Sequence, residues 1–519
     1  MSPEHGELDE VAPHQASGRL SLSLFAGVVG AALGLMIVLL ALDVSLSELT
    51  VHGIAGGVQA GGLSEALGSL AEVLAAVLGL SLTVVAIVVQ LASQRYSAKI
   101  VDLFMRDWTN VGVFSFMVVS CIYVVLLPAF AGPEQALPDI TVGAGLVLAV
   151  VNFGLLLPYF GHVFAFLHPN NIITQIKTTA YRSLGRAHLG RGELSAAQIQ
   201  MAQAIERIAD NCLAAITQSD RSLALHSIRT MEELILRYFR FKVDLPPSWS
   251  KAPHRHFFAL SEEFYEEIVH RGTWVEAKTL MEFEHVMRRA LGSMSELVSQ
   301  LSSSSRAIGE RALEEQDGEA LELVLRFFNT YIRHALNARN VRAVYNILYQ
   351  YRQLSVTAMS RRPDLSRRVV EHLVYYGRIA NAMGLPFVTV TAAHDVRVMC
   401  EHAFAEAHID VIPVLELFLT LDQPSEGKTE ELALLGVRKA QSILGAFFLS
   451  RGAPELAQRI REDMDEESPA RLASIRDAIL AVTDRKFWEI TDRGFNFDFV
   501  EPEMRKYVHE FFDPMVDGL

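Results

Sequence analysis

Long apolar runs fill the first third of the chain, whereas the remainder mixes apolar and polar residues with the period of a helix. Each run is long enough, at ~1.5 Å per residue, to cross a ~30 Å hydrocarbon layer as a helix. Transmembrane helices are therefore predicted at residues 20–42, 66–94, 109–132 and 140–167. Together they make a predicted four-helix transmembrane domain over residues 19–168, and the polar segment 1–18 is expected to be disordered.

The second run carries a row of small or polar residues, which recur at spacings of three and four and therefore share one side of a helix. The row, which we call the polar stripe, consists of Glu72, Ala76, Gly79, Thr83, Ala86, Gln90, Ser93 and Ser97. Bulky apolar residues such as Leu78, Leu82 and Leu91 flank it. We expect the bulky face to contact lipid, while the polar stripe either packs closely against another helix or lines a water-filled pore.

Basic residues indicate which connections face the cytoplasm. Residues 43–65 and 131–139 contain no Lys or Arg, whereas Arg95, Lys99 and Arg106 follow the second apolar run. Further bases follow the fourth run, beginning at Lys177. By the positive-inside rule, both termini are predicted to lie in the cytoplasm and the two base-free connections outside.

Composition sets the class of partner. The chain has 519 residues, of which 50% are hydrophobic and 20% are charged, so it has room for both a membrane part and a soluble part. The formal net charge of -14 argues against a nucleic-acid partner, which would require a basic face. The lipid bilayer is the partner that the sequence predicts.

No motif indicates catalysis or a cofactor. The three cysteines are too scattered for a disulfide framework or a zinc site, and they are expected to be reduced, packed thiols. His394 and His402 lie two helical turns apart, ~12 Å along the axis, which is too far to share one ion. We find no phosphate-binding loop, nucleophile elbow or metalloprotease spacing, so an enzyme, a metal site and a bound cofactor are all disfavoured.

Residues 169–519 show one helical pattern after another, which predicts a cytoplasmic helical domain and makes the whole chain all-α. Helix starts are expected at Ser195, which has Gln198 three residues later, and at Asp220, Asn340 and Ser468. An irregular helical bundle or a short α-solenoid fits this pattern. The domain is either one body or two subdomains, which would meet near residues 244–253 or 302–317. The alternation of apolar and polar residues from Phe387 to Thr391 is compatible with a short strand as well as with a helix.

Two features of this domain suggest binding surfaces. A run rich in arginine and tyrosine would suit an anionic ligand such as phosphate or a lipid headgroup, or else it forms a solvated face paired to nearby acids. The candidates are Arg333, Arg339, Arg342, Tyr345 and Arg352. Residues 487–512 are unusually aromatic, and they either dock on the helical body or present anchors to a partner.

The sequence from Ser81 to Trp108 resembles a stretch found in a large family of predicted bacterial membrane proteins. The residues that carry the resemblance are Gln90, Ser93, Gln94, Tyr96, Ser97, Lys99, Phe104 and Asp107. Ala98 stands where the family commonly has proline, and residues 333–340 give a fainter echo. The resemblance implies a transmembrane bundle followed by a cytoplasmic helical domain, in the inner membrane of a bacterial cell.

Two functions of different classes remain open. The protein is either a homo-oligomeric pore, lined by the polar stripe and regulated by the cytoplasmic domain, or a membrane-anchored scaffold or signalling protein. In the second case the stripe only packs, and the cytoplasmic domain binds a protein partner.

The loop charges make a direct prediction about topology. Reporter domains fused after residues 55 and 135 should be active outside the cytoplasm, and those fused after residues 105 and 200 should be active inside it, because bases are retained on the cytoplasmic side. Activity of the fusion at residue 105 only on the outside would contradict the orientation.

Overall fold

The computed structural model describes most of the chain. The described residues are 27, 30–42, 45, 60–95, 101, 104–105, 107–130, 139–166, 168–190, 192–258, 260–407, 409–422, 431–486 and 493–516. Over these residues the chain forms helices, turns and irregular segments and contains no strand, so the all-α prediction is confirmed. The alternating residues Phe387 to Thr391 lie inside a helix. The predicted N-terminal segment 1–18 lies outside the described residues.

The chain divides into two compact units, Met1–Ile172 and Ile173–Leu519. The first unit contains the apolar helices α1 (Gly30–Leu42), α2 (Ala60–Arg95), α3 (Trp108–Leu126) and α4 (Asp139–Phe166), with a 3-10 turn at Leu127–Phe130. By length and composition, α2, α3 and α4 are each able to cross a membrane, and α1 is a shorter apolar helix. The apolar helices predicted for this part of the chain are therefore present.

The core of the first unit joins residues from all of these helices. Met36 of α1, Leu74 of α2, Tyr123 of α3 and Ala149 of α4 belong to one buried apolar cluster. The hydroxyl of Tyr123 donates to the Thr141 carbonyl oxygen at 2.9 Å, which satisfies its one polar group inside an apolar environment. Contact between these buried faces accounts for the packing, because apolar helices in a bilayer associate through van der Waals contacts and interhelical hydrogen bonds.

The second unit is a succession of helices. The first of them begins at Pro169, so its first four residues belong to the first unit and the rest to the second. They are α5 (Pro169–His188), α6 (Leu194–Thr217), α7 (Arg221–Lys242), α8 (Glu262–His270), α9 (Trp274–Ser293), α10 (Glu296–Glu314), α11 (Gly318–Asn337), α12 (Val341–Ala358), α13 (Pro363–Ala382), α14 (Pro386–His402), α15 (Ile412–Leu419), α16 (Glu431–Ser450), α17 (Pro454–Asp463), α18 (Pro469–Leu480) and α19 (Arg505–Val516). Short 3-10 turns occur at Pro247–Ser250, His254–His256 and Pro502–Met504, and a π turn at Ala403–Ala407.

These helices stack as successive pairs, as in an α-solenoid. The first members of the pairs, α6, α9, α11 and α13, contact one another in order along the chain. The second members likewise contact one another in order along the chain; they are α7, α10, α12, α14 and α16. Each pair therefore buries its apolar faces against its neighbours, which is the way stacked helical repeats build a continuous core.

Similar turns connect several of these helices. Ser219, Gln316 and Arg339 have positive φ angles, and the next residue in each case caps the following helix. Asp220, Asp317 and Asn340 each accept a hydrogen bond at 3.0 Å from the backbone N–H three residues later. The caps predicted at Asp220, Asn340 and Ser468 are present, but α6 begins at Leu194 with Glu193 at its cap position, so the prediction of Ser195 as a cap was wrong.

Helix α16 is also apolar enough to cross a membrane, although it belongs to the second unit. It packs against α14 and α19, and its Arg438 and Lys439 pair with Asp463 and Asp498. Most of its apolar residues, including Val437, Leu444 and Phe448, are buried within the helical stack, although Leu432 at its start is exposed. Two boundaries between subdomains were proposed in this unit. Residues 302–317 lie mostly in α10, and residues 244–253 include the buried Trp249. A division into subdomains stays a prediction.

Candidate functional site

Helix α2 presents three distinct faces in the first unit. One face is buried and includes Leu67, Leu74, Val85 and Val89. A second face exposes bulky apolar side chains, among them Val73, Leu80 and Leu91. At ~100° of rotation per residue, the polar stripe occupies a third face, centred about 140° around the helix from the buried one.

The described members of the polar stripe all point away from the unit. Glu72, Ala76, Gly79, Thr83, Ala86 and Gln90 are exposed. The side chain of Ser93 and the whole of Ser97 lie outside the described residues. From Glu72 to Gln90 the stripe extends over ~27 Å of helix, comparable to the thickness of the hydrocarbon layer.

Among the described residues, no neighbouring helix of the unit presses against the small residues of this stripe. A Cβ atom added to Gly79 would meet nothing within 4 Å among the described residues, whereas one added to Gly145 of α4 would strike the side chain of Leu127. Gly145 is therefore needed for packing inside the unit, but Gly79 is not. The hydroxyl of Thr83 donates to the Gly79 carbonyl oxygen of its own helix at 2.8 Å, so that residue is satisfied without a partner helix.

Two other polar groups of the stripe, at the ends of its described part, are less easily satisfied. The carboxylate of Glu72 and the amide of Gln90 have no described side-chain partner, and lipid offers them none. An amide left without hydrogen bonds in an apolar medium costs roughly 2–7 kcal/mol, and a charged carboxylate costs more. This face therefore requires either water or another protein surface.

Two residues of the family-like stretch organise the start of α3. Asp107 caps this helix by accepting a hydrogen bond from the Asn110 N–H at 3.1 Å, and its other contact is with His162 of α4, also at 3.1 Å. Phe104 is buried, and its ring meets the edge of Phe166. Both residues thus fix α3 against α4, while Gln94, Tyr96 and Lys99 have side chains outside the described residues.

The predicted anionic-ligand residues of the second unit fall at different places. Tyr345 and Arg352 are buried side by side with the residues of one ionic centre described below. Arg339 donates to the Met383 carbonyl oxygen at 3.0 Å, and Arg333 lines a groove of about 560 Å³ beside α8 and α9. Arg342 is exposed. A common ligand for all five stays a prediction.

The ionic centre consists of Asp395, Arg352 and Arg493, all buried. Arg493 donates two hydrogen bonds to the carboxylate of Asp395, at 2.6 and 2.9 Å, and the Nε atom of Arg352 lies 2.9 Å from the same carboxylate. Arg493 also donates to the Tyr345 carbonyl oxygen at 3.0 Å, and its guanidinium lies 4.3 Å from the centre of the Tyr345 ring. One carboxylate thus pairs with two buried guanidinium groups, and the face of the Tyr345 ring adds a cation–π contact to one of them, Arg493.

A neutral histidine borders this centre. The ring of His394 stacks on Phe497 at 4.2 Å, and its Nδ1 atom lies 3.0 Å from the Nη2 atom of Arg397. Burial, followed by the nearby Arg397, Arg493 and Arg352, holds the pKa of His394 well below its ordinary value. Because the folded protein disfavours protonation of this ring and the unfolded chain does not, the free energy of unfolding should fall as the pH drops below about 6.5.

Sequence reasoning missed Asp395 and Arg493. Arg493 lies in the aromatic segment 487–512, and Phe497, Phe511 and Phe512 of that segment pack on the helical body. The described part of the segment therefore docks on its own chain, which was one of the two alternatives. An arginine within an aromatic run was the available signal, but the sequence contains nothing that identifies its partner, which lies 98 residues earlier.

Fold and sites together define a class: an all-α membrane protein with several apolar helices in its first unit and stacked helices in its second. The model of a family described as "Predicted membrane protein (DUF2254)" matches residues 21–233. The resemblance noted between Ser81 and Trp108 is thereby confirmed, and the matched region includes α1 to α6 and part of α7.

Other comparisons are sparse. No curated protein matches the chain. A solved structure described as "Circular tandem repeat protein with novel repeat topology and enhanced subunit contact surfaces" is similar over 88% of this chain and 96% of that one, with 15% identity and a TM-score of 0.28.

The ionic centre generates a test of stability. Asp395→Asn would leave two buried guanidinium groups without their carboxylate, which should cost about 3–5 kcal/mol. Because the contacts of Arg493 tie residues 493–500 to α14, hydrogen exchange at the Asn496 N–H, which donates to Arg485, should accelerate about a hundredfold or more.

A matched control exists in α13. Asp364 also pairs with an arginine through two contacts, at 3.1 and 2.9 Å to Arg362, but it is exposed. Asp364→Asn should cost at most about 1 kcal/mol and leave exchange at Asn496 unchanged. Equal exchange at Asn496 in the Asp395→Asn variant and the wild type would refute the role assigned to the ionic centre.

Proposed function

We propose that this protein is a homo-oligomeric pore of the bacterial inner membrane, in which the polar stripe of α2 faces a shared conduit. The observation that carries the proposal is the outward exposure of Glu72, Thr83 and Gln90 on a membrane-length helix whose apolar core face is already occupied. Exposure to lipid would leave the carboxylate of Glu72 and the amide of Gln90 without hydrogen-bond partners. Water in a conduit formed by several copies removes that cost.

The chemistry of the stripe favours a conduit over simple packing. Small residues alone would suffice for close helix approach, as at Gly145, but this stripe also places a carboxylate at one end and an amide near the other. Alternating small and polar groups along ~27 Å leave width and hydrogen-bonding capacity for water. The bulky face at Val73, Leu80 and Leu91 would then contact lipid or the neighbouring copy.

The orientation and the second unit complete the proposal. The charges of the connections support termini in the cytoplasm, and the second unit would then be a cytoplasmic helical domain that regulates the pore. The bilayer and further copies of the chain are its expected partners, without nucleic acid or a cofactor. We propose no catalytic role, since the chemistry expected of the stripe is conduction.

The scaffold function has one observation in its favour. Helices α6 to α16 stack as in repeat proteins that use extended surfaces to bind partners. In that case the polar stripe would only join copies of the chain, and a cytoplasmic protein would bind the stacked helices. The two functions differ in whether the stripe is in contact with water.

Cysteine accessibility separates these possibilities. Gly79→Cys places a thiol on the polar stripe, and Leu80→Cys places one at the same depth about 100° around the helix. Cys121, Cys212 and Cys400 are buried, so the introduced thiol should dominate the reaction. In native membranes, a small hydrophilic thiol reagent should modify Gly79→Cys about a hundredfold faster than Leu80→Cys, because thiolate forms in water and not in lipid.

Each alternative gives another pattern. If the stripe only packs, Gly79→Cys should form disulfide-linked dimers on oxidation and resist the hydrophilic reagent, which would contradict a conduit. If both thiols resist the reagent and neither forms dimers, both the conduit and assembly through this face are refuted. Among the described residues neither substitution meets a steric barrier, since the space at Gly79 is open and Leu80 is exposed.

Selectivity provides a second test of the pore. Glu72 lies at the end of the stripe predicted to face outside, where a carboxylate would attract cations and repel anions. Glu72→Gln keeps nearly the same shape and should abolish the preference for cations in planar bilayers, while Gly79→Leu should block the current. Wild-type protein that folds but carries no current under voltage, tension or candidate ligands would contradict the pore.

A further inference from the structure

A second groove, of about 850 Å³, lies within the second unit between α5, α7 and α10. Its lining contains five bases and three acids, and these charged groups are not evenly matched. The bases are Lys177, Arg182, Arg237, Arg240 and Arg311, and the acids are Glu233, Glu310 and Glu314.

Each acid of this groove is already paired. Glu233 contacts the Lys177 ammonium at 2.5 Å, and Glu310 contacts Arg306 at 2.5 Å. Glu314 contacts Arg311 at 2.8 Å. These pairs account for all three carboxylates and for two of the five bases.

Three guanidinium groups are left over. Within the described part of the chain, Arg182, Arg237 and Arg240 form no ion pair, and all three are exposed. The guanidinium of Arg237 lies 4.5 Å from the centre of the Tyr181 ring, and the Tyr181 hydroxyl donates to the Glu233 carbonyl oxygen at 2.7 Å. The ring is thus held in place beneath Arg237, and the groove has a local excess of positive charge in a protein of net charge -14.

The positive-inside rule explains only one of these three arginines. Bases that follow a transmembrane helix help to orient it, which accounts for Arg182 on α5, soon after α4 ends at Phe166. Arg237 and Arg240 lie on α7, far along the chain, yet the fold brings them to the same groove. Planar guanidinium groups that line one groove and have no carboxylate partner of their own match the oxygen atoms of a phosphate group.

We propose that this groove binds a phosphate-bearing anion through Arg182, Arg237 and Arg240. Two sources share this chemistry: the headgroup of an anionic phospholipid, which the bases after α4 favour, and a soluble phosphate compound. The inference concerns the second unit and does not depend on conduction or on the polar stripe.

The test is calorimetric titration of the full-length protein in neutral detergent. The probes are inorganic phosphate and short-chain phosphatidylglycerol, with short-chain phosphatidylcholine as the uncharged control. Arg182→Gln combined with Arg240→Gln should raise the Kd for the bound anion about tenfold or more, because two charge-assisted contacts are lost. Both residues are exposed, so this variant should keep the helical content of the wild type.

A matched double variant controls for charge. Arg221→Gln combined with Arg229→Gln removes the same charge from α7, at positions that do not line the groove, and should leave the Kd unchanged. Binding of phosphatidylglycerol without inorganic phosphate identifies a lipid site, and binding of inorganic phosphate that needs the same arginines identifies a soluble ligand. Absence of binding, equal binding of phosphatidylcholine, or equal losses in the two double variants would overturn the proposal.

Discussion

The architecture depends on a constraint that α2 cannot satisfy within one chain. The helix has one face buried against α1, α3 and α4 and another covered by bulky apolar side chains, so both have a suitable environment. The third face carries the carboxylate of Glu72 and the amide of Gln90 outward on a helix long enough to cross a membrane. Hydrocarbon cannot hydrogen bond, and the cost of several kcal/mol for each unsatisfied group requires water or protein there. The proposal of an oligomeric pore follows from this requirement.

The second unit also contains charged side chains removed from water, but there each buried charge is paired with an opposite charge of the same chain. Asp395 lies between two arginines, and Lys242 lies between Glu276 at 2.5 Å and Asp317 at 2.6 Å. Burial is the largest cause that raises the pKa of Glu276, while Lys242 opposes it. Each centre joins helices distant in sequence, and Arg493 fastens the described end of the aromatic segment to α14. Arg182, Arg237 and Arg240 of the α5–α7–α10 groove differ because they form no ion pair among the described residues.

Local features were predictable from the sequence, and long-range pairings were not. Apolar runs predicted the membrane-length helices, and short polar residues before helical patterns predicted the caps at Asp220, Asn340 and Ser468, because both signals act over a few residues. The residues of the polar stripe could be chosen by spacing alone. Periodicity shows that residues share a face, but it cannot show whether that face is buried, and the structure supplies the exposed position of Gly79 and Gln90.

The partners of the charged residues could not be predicted from the sequence, because they lie far away along the chain. Arg352 was recognised as part of a basic run, yet nothing local in the sequence indicates that Asp395 would neutralise it or that Arg493 would join them. The convergence of Arg182 with Arg237 and Arg240 was equally invisible, since it depends on the packing of α5 beside α7. Ser195 shows the limit of local rules as well, because Glu193 occupies the cap position although it makes no side-chain cap hydrogen bond.

The most direct measurement of the central claim is a cryo-electron microscopy map of the full-length protein in lipid nanodiscs. The account predicts several copies arranged around an axis, with Glu72, Thr83 and Gln90 of each α2 facing a continuous solvent-filled path. A monomer, or an oligomer in which this face of α2 is turned toward lipid or packed without a central void, would contradict it.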